Sequence, residues 1–131
     1  MPIYRAAEMQ PTPDVKNPDM MMMQFGGELM KVGIVTYNRG EGPPPHYHPN
    51  DEQFIFILEG RAAFVLGDDI EVAGPGDLVH IPRNTTHGIR VLDGPVRFFT
   101  CKSPSGSGKL SEDYTDVPNA AELQERLAAV S

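Results

Sequence analysis

Two histidines one residue apart, in His46-Tyr47-His48, run into Pro49-Asn50-Asp51-Glu52-Gln53, and another, His87, stands in a later segment. On an extended chain alternate side chains project to the same side, so His46 and His48 offer their imidazoles to one point. An oxygen donor a few residues on and a third imidazole from a distant strand complete a ligand set for one divalent metal ion. Lewis-acid and redox chemistry both suit such a set, and the spacing selects neither.

Ligands of this kind need strands to aim them. Gly and Pro number 13 each and fall between short apolar segments, the punctuation of an all-β fold with many turns. Strands are expected at Met30–Tyr37, Gln53–Leu58, Ala62–Leu66, Ile70–Val72, Leu78–Ile81, Gly88–Leu92 and Val96–Cys101. Turn residues separate them at Asn38-Arg39-Gly40-Glu41-Gly42, Glu59-Gly60, Gly67-Asp68-Asp69, Gly74-Pro75-Gly76-Asp77 and Asp93-Gly94-Pro95. The arm at 1–28, with Pro2, Pro11, Pro13 and Pro18, reads as irregular or as an added edge strand. Ser103–Gly108 has the composition of a flexible linker. Asn119, with Glu122 three positions on, is expected to cap a short helix in a capping-box pattern. Its apolar stripe, Ala120, Leu123, Leu127 and Val130, would dock on the β structure or on a neighbouring subunit.

The run Phe54-Ile55-Phe56-Ile57-Leu58 is apolar on both parities, which predicts that both faces of its strand are covered. A domain of 131 residues has little spare material to cover the outer one, so a homodimer is expected. The net charge of −7 and the lack of a basic run argue against nucleic acid or an anionic membrane as partner. Met20–Met23 is too short to span a bilayer, and no charged-then-apolar leader is seen. A single cysteine, Cys101, makes no intrachain disulfide, so a reducing cytoplasm is the expected compartment. Cys101 ends an apolar run and reads as a small buried hydrophobe rather than a nucleophile.

At this point the chain resembles the cupins. Their first motif sets a glycine five residues before His-x-His, then an acidic or amide ligand, then six residues and a glycine. Here Gly40, His46-Tyr47-His48, Gln53 and Gly60 stand at those places. Their second motif is met around Gly74-Pro75-Gly76-Asp77 and again in Pro82-Arg83-Asn84-Thr85-Thr86-His87, with Asn84 in place of a glycine. Asparagine tolerates the left-handed conformation that such a turn glycine supplies. The Asn that many members carry after the ligand histidine is absent, and Val91 stands there. The resemblance covers Leu29 to Thr100 and implies a double-stranded β-helix, or jelly-roll barrel, at 29–101, with a linker and short C-terminal α-helix at 102–131.

It also implies a divalent transition metal (Fe, Mn, Ni or Zn) on His46, His48, His87 and a fourth donor. Counting forward from His48 gives Glu52, and counting back from Gly60 gives Gln53. Gln53 is preferred, because the strand running into Gly60 fixes the register and puts Ile55 and Ile57 in the pocket. Glu52 would then stand beside the site as a general base or as a partner to a ligand. With Gln53 the donors are all neutral, which leaves the full metal charge to act as a Lewis acid and to hold an anionic substrate. Apolar candidates for the pocket wall are Ile55, Ile57, Ile89 and Val91. His80, inside Leu78-Val79-His80-Ile81, reads as a hydrogen-bonded core or interface residue, and Tyr47 alternates away from the ligands. Arg39, Arg61, Arg90 and Arg97 offer a carboxylate clamp if any of them turns inward.

Cupins include dioxygenases, decarboxylases, isomerases, cyclases, lyases and plain binding domains, so fold alone selects no reaction. The expected function is that of a metal-dependent enzyme, of dioxygenase or isomerase/lyase type, on a small organic molecule that chelates the metal. The His-x-His-Pro…Gln pattern is similar to small cupins that convert unsaturated uronates, where the metal serves as Lewis acid. The alternative is a non-catalytic sensor or binding module.

Overall fold

A computed structural model describes residues 3–14, 17–40 and 42–130; Pro2 of the arm and Glu41 of the first expected turn lie outside them. After a short 3₁₀ turn at Ala6–Glu8 come β1 (Thr12–Pro13), β2 (Met20–Gly26), β3 (Lys31–Tyr37) and β4 (His46–Tyr47). The long β5 (Glu52–Leu66) is followed by β6 (Asp69–Ala73) and β7 (Leu78–Ile81). A second long strand, β8 (His87–Ser103), precedes β9 (Thr115–Asp116) and the helix α1 (Ala120–Ala128).

β5 and β8 pair antiparallel along their lengths, and each serves two groups of strands. The later part of β8, Val96–Lys102, also carries β3, and β3 carries β2. The first part of β5 carries β7, Gln53 opposite Ile81. Beyond the bend, Ala62–Leu66 carries β6, while His87 at the start of β8 pairs with His46 of β4. Side chains from both groups meet in one core, Val35, Ile55, Ile57, Val96 and Phe98 against Ala62, Phe64, Ala73 and Ile89. This is the all-β barrel that the resemblance implies, with one short C-terminal helix.

Alternation decides which residues face the core. In β3, Lys31, Val35 and Tyr37 are buried while Val32, Ile34 and Thr36 are half-buried. In the first part of β5, Gln53, Ile55 and Ile57 point inward while Glu52, Phe54, Phe56 and Leu58 point outward. Beyond Gly60 both parities are buried, because Leu123 and Leu127 of α1 cover the outward Ala63 and Val65. The helix therefore docks on the barrel, and Arg90 donates to the Val130 carbonyl (2.6 Å) at its end. Asn119 makes no side-chain capping bond, contrary to the capping-box pattern; its own carbonyl accepts from the Leu123 N–H (3.1 Å).

Glu59-Gly60 and Asp93-Gly94-Pro95 were each expected to end a strand. Both instead lie within a continuous strand, where the β5–β8 register shifts between Ile57 and Ala62. Gly60 has φ of +82°, and a Cβ there would lie 2.3 Å from the Pro95 carbonyl oxygen. No other residue fits so close an approach of two bent strands. Asn84 has φ of 62°, so it takes over the left-handed turn position of the missing glycine.

The Met20–Met23 cluster is part of β2, the strand that the arm adds beside β3, and its Met20 and Met22 enter the core. Two other expectations are corrected. Ser103–Gly108 is not a loose linker: Ser105 donates to the Gly27 carbonyl, and a Cβ on Gly26 would lie 2.6 Å from the Gly108 Cα. Glycine there permits two backbones to touch. Cys101 is half-buried on the outer face opposite Phe54, with its thiol 3.8 Å from the Met30 sulfur.

Candidate metal centre

β4 and the start of β8 bring His46 and His87 together as a cross-strand pair, and His48 follows His46 by one strand repeat. The three rings are buried, and one nitrogen of each lies within 4.8 Å of the others. What aims them is the backbone. The Nδ1 of His46 contacts the Pro44 carbonyl at 2.9 Å, that of His48 the Asp113 carbonyl at 2.8 Å, and that of His87 the Thr85 carbonyl at 3.0 Å. A carbonyl oxygen only accepts, so each Nδ1 carries a proton and Nε2 is the nitrogen of each ring that could ligate. Burial first, then Lys102 and His87, lowers the His48 pKa to about 3; burial first, then His46, lowers that of His87 to about 3. Both rings are neutral at pH 7, the form in which imidazole ligates.

The loops that hold these rings are tied to each other. The Asn84 N–H donates to the His48 carbonyl (2.9 Å), joining the turn before His87 to the histidine pair. Asp113 accepts from the backbone N–H of Asn50 (2.7 Å) and of Asp51 (2.8 Å), and from the Asn50 amide. Burial pushes its carboxyl up, but those hydrogen bonds together hold it below its ordinary value. The segment after β8 thus braces the loop between His48 and Gln53 and supplies the carbonyl that orients His48. Tyr114 of the same segment stacks on His46 (ring centroids 4.1 Å apart) and donates to the Pro44 carbonyl (3.1 Å). Burial, then Asp116, raises its phenol to about 12, so it stays protonated.

Gln53 is buried and lines the same cavity as the three histidines. Its Nε2 donates to Thr100 Oγ1 (2.8 Å), which donates in turn to the Phe54 carbonyl (3.1 Å). That relay fixes the amide: the nitrogen is spent on Thr100, and the carbonyl oxygen is the atom left to serve as a donor. Glu52 is turned the other way. Its carboxylate lies on the outer face, half-exposed and 2.7 Å from His80 Nε2, while the His80 ring stacks on Phe54 at 4.3 Å. Strand alternation sends neighbours to opposite faces, so Glu52 does not reach the histidines and is removed as a base there. Tyr47 packs under α1, away from the ligands.

The cavity is about 90 Å³. Met20, Met22, Val35, Ile55, Ile89 and Phe98 line its apolar side, with Asp14, Ser111, Tyr114 and Lys102 at its polar end. Ile55 and Ile89 were foreseen as wall residues; Ile57 and Val91 belong to the core behind it. No arginine lines the cavity among the described residues. Arg39 is exposed, Arg61 pairs outside with Asp93 (2.7 Å), Arg97 lies on the outer parity with Phe99, and Arg90 holds the helix.

The cation at the site is Lys102, which sequence reasoning missed. It is buried, donates to the Leu110 carbonyl, and its Nζ lies 3.5 Å from His48 Nε2. Burial is the main cause lowering its pKa to about 8, so the ammonium is still the main form at pH 7. A signal was present: Lys102 shares its parity in β8 with the inward Phe98 and Thr100.

The chain belongs to the cupins, since the Cupin domain family matches residues 33–101. It is 24% identical over 93 residues to a quercetin 2,3-dioxygenase of Bacillus subtilis, covering 71% of this chain and 27% of that enzyme. The chain therefore spans about a quarter of the dioxygenase's length. The solved structure of KdgF from Halomonas sp. superposes with a TM-score of 0.72 at 23% identity, covering 79% of this chain and 94% of that one. The polyketide cyclase RemF of Streptomyces resistomycificus superposes with a TM-score of 0.67 at 24% identity, covering 86% and 89%. These structural likenesses show the fold. No helix among the described residues is long and apolar enough to cross a membrane.

Proposed function

We propose that this cupin is a metal-dependent enzyme, with a divalent transition metal held by His46, His48, His87 and the Gln53 carbonyl oxygen. The observation that carries the reading is three buried imidazoles, each held through Nδ1 by a backbone carbonyl, with one ligand nitrogen of each within 4.8 Å of the others. Nothing in ordinary core packing calls for three buried imidazoles with their acceptor nitrogens turned together. The substrate is a small organic molecule that chelates the metal, in keeping with a family that includes a quercetin dioxygenase among its enzymes. When bound, the metal supplies either electron transfer to dioxygen or polarisation of a substrate oxygen. The chain's own part is to hold His48 and His87 neutral, to fix the Gln53 amide through Thr100, and to line the cavity with apolar side chains.

Elemental analysis of protein purified without a histidine tag tests this. Near-stoichiometric metal is expected: iron, nickel or copper would favour dioxygenase chemistry, zinc or manganese isomerase or lyase chemistry. His48→Ala is expected to lose most of it, and full metal content in that variant would overturn the site. Gln53→Ala should weaken metal affinity about 10- to 100-fold, with Glu52→Ala close to unchanged; the reverse order would reassign the fourth ligand.

The protein is further proposed to act as a homodimer. Phe54, Phe56, Leu58 and Phe99 each remain 40% exposed on the outer face of β5 and β8, with Leu78 beside them at 62%. So large a contiguous apolar face is rare on a monomer. Sedimentation at micromolar concentration should give a dimer, and Phe56→Glu a monomer with unchanged metal content. A wild-type monomer would sink the proposal.

A further inference from the structure

Lys31 and Lys102 are cross-strand partners on β3 and β8, and both point into the barrel. They differ in what answers their charge. Lys31 lies 2.9 Å from Asp51 and 2.7 Å from Glu112, a buried cation paired twice. Lys102 has no carboxylate within ion-pair distance among the described residues; its contacts are the Leu110 carbonyl and His48 Nε2. The nearby acids are engaged elsewhere. Asp51 and Glu112 take Lys31, Asp113 takes the amides of Asn50 and Asp51, and Asp14 accepts from Ser111 Oγ and the Asn17 N–H.

Buried charges in proteins are paired, because an unpaired one forgoes hydration without compensation. Lys102 is 5% exposed and faces the cavity, not a gap in the core. Its contact with His48 Nε2 is long, and that lone pair is the one the metal would take. The ammonium is then left with the Leu110 carbonyl alone, beside a metal whose four ligands are neutral. Asp51, Asp113 and Glu112 act on its charge from beyond ion-pair distance, but each is taken by another partner, so none contacts the ammonium. We propose that the missing counter-ion is the substrate: a small organic acid whose carboxylate accepts from Lys102 Nζ while a neighbouring oxygen chelates the metal. This deepens the metal-enzyme reading and rests on it. The apolar residues that also line the cavity, among them Met20, Ile55 and Phe98, suit a hydrocarbon body carrying that acid group. Lys102 would then be a binding residue that selects anions over neutral molecules of the same shape.

Calorimetric titration of the metal-loaded protein tests this with two probes, oxalate and imidazole, which ligates a metal in its neutral form, with metal content measured on every sample. Lys102→Gln keeps a donor for the Leu110 carbonyl and removes the charge. It should retain its metal and its imidazole affinity while losing about 10- to 100-fold in oxalate affinity, the worth of one charge-assisted hydrogen bond. Lys102→Arg should stay within about fivefold of wild type. If Lys102→Gln does not fold, Lys102→Met carries the same comparison at similar volume. Unchanged oxalate affinity in a metal-replete variant overturns the proposal, and so does an equal loss of both probes, which would mark a structural lysine. A protein that neither contains nor takes up metal sinks the metal-enzyme reading separately. Oxalate is then titrated into the metal-free protein: binding that Lys102→Gln abolishes upholds the anion site, and no binding overturns it.

Discussion

Gly60→Ala is expected to destabilise the protein by roughly 2–5 kcal/mol, among the largest effects of any single methyl added to this chain. Two costs add. A φ of +82° places an alanine in the left-handed region, worth about 1–2 kcal/mol. The new Cβ would also lie 2.3 Å from the Pro95 carbonyl oxygen, 2.8 Å from that of Asp93 and 2.8 Å from the Val96 Cα. All three are backbone atoms at the bend of β8, so no side chain can swing aside. Urea unfolding should show a lower midpoint at unchanged slope. Gly67→Ala separates the two costs. Its φ is +63° but nothing lies within 4 Å of the new Cβ, so only the conformational cost of about 1–2 kcal/mol applies. Equal losses in the two variants would mean that the strand contact at Gly60 relaxes.

The second large effect is expected at Lys31. This side chain is fully buried and holds Asp51, itself 3% exposed, together with Glu112. Lys31→Met leaves the Asp51 carboxylate unpaired in the interior, which costs about 3–5 kcal/mol. Adding Asp51→Asn removes the stranded charge and should recover a large part of that loss, so a double-mutant cycle measures the pairing. An additive cycle would show that the two groups do not interact. The pH dependence has a defined sign. Glu112 is held at about 2, first by its hydrogen bond from Lys31 and then by Ser107. Its contribution is complete above the ordinary carboxylate value near 4.5 and is lost as pH falls toward 2. Lys31→Met should flatten that part of the acid-unfolding profile.

These two sites also show what local sequence carries and what it hides. His46 and His48 were legible because alternation along a strand is a local rule, and His87 because the second motif of the resemblance sets a histidine after the Pro82 turn. The preference for Gln53 over Glu52 came from the distance to Gly60, and the structure puts Gln53 in the cavity and Glu52 outside it. Asn84 was legible as a substitute for a turn glycine, since φ is a property of one residue. The bends of β5 and β8 were not. A Gly that ends a strand and a Gly that lets two strands cross look alike until the partner backbone is known. The same ambiguity hid Gly26 and Gly108, whose lack of side chains serves contact rather than freedom. Lys102 was missed for a related reason: the facing parity of Val96–Cys101 depends on the partner strand, and its expected end fell one residue short of the lysine.

The brace that Asp113 and its neighbours put on the histidine loop has a consequence in time. His48 precedes its orienting carbonyl by 65 residues, and the amides of Asn50 and Asp51 wait for the Asp113 carboxylate. During synthesis the three histidines leave the ribosome well before the segment that fixes one of them. The barrel strands also depend on distant partners, so they close late. A nascent chain stalled before residue 113 therefore displays imidazoles without a finished geometry. The proposed metal site thus lacks its final geometry until that stretch has been translated and laid across the barrel.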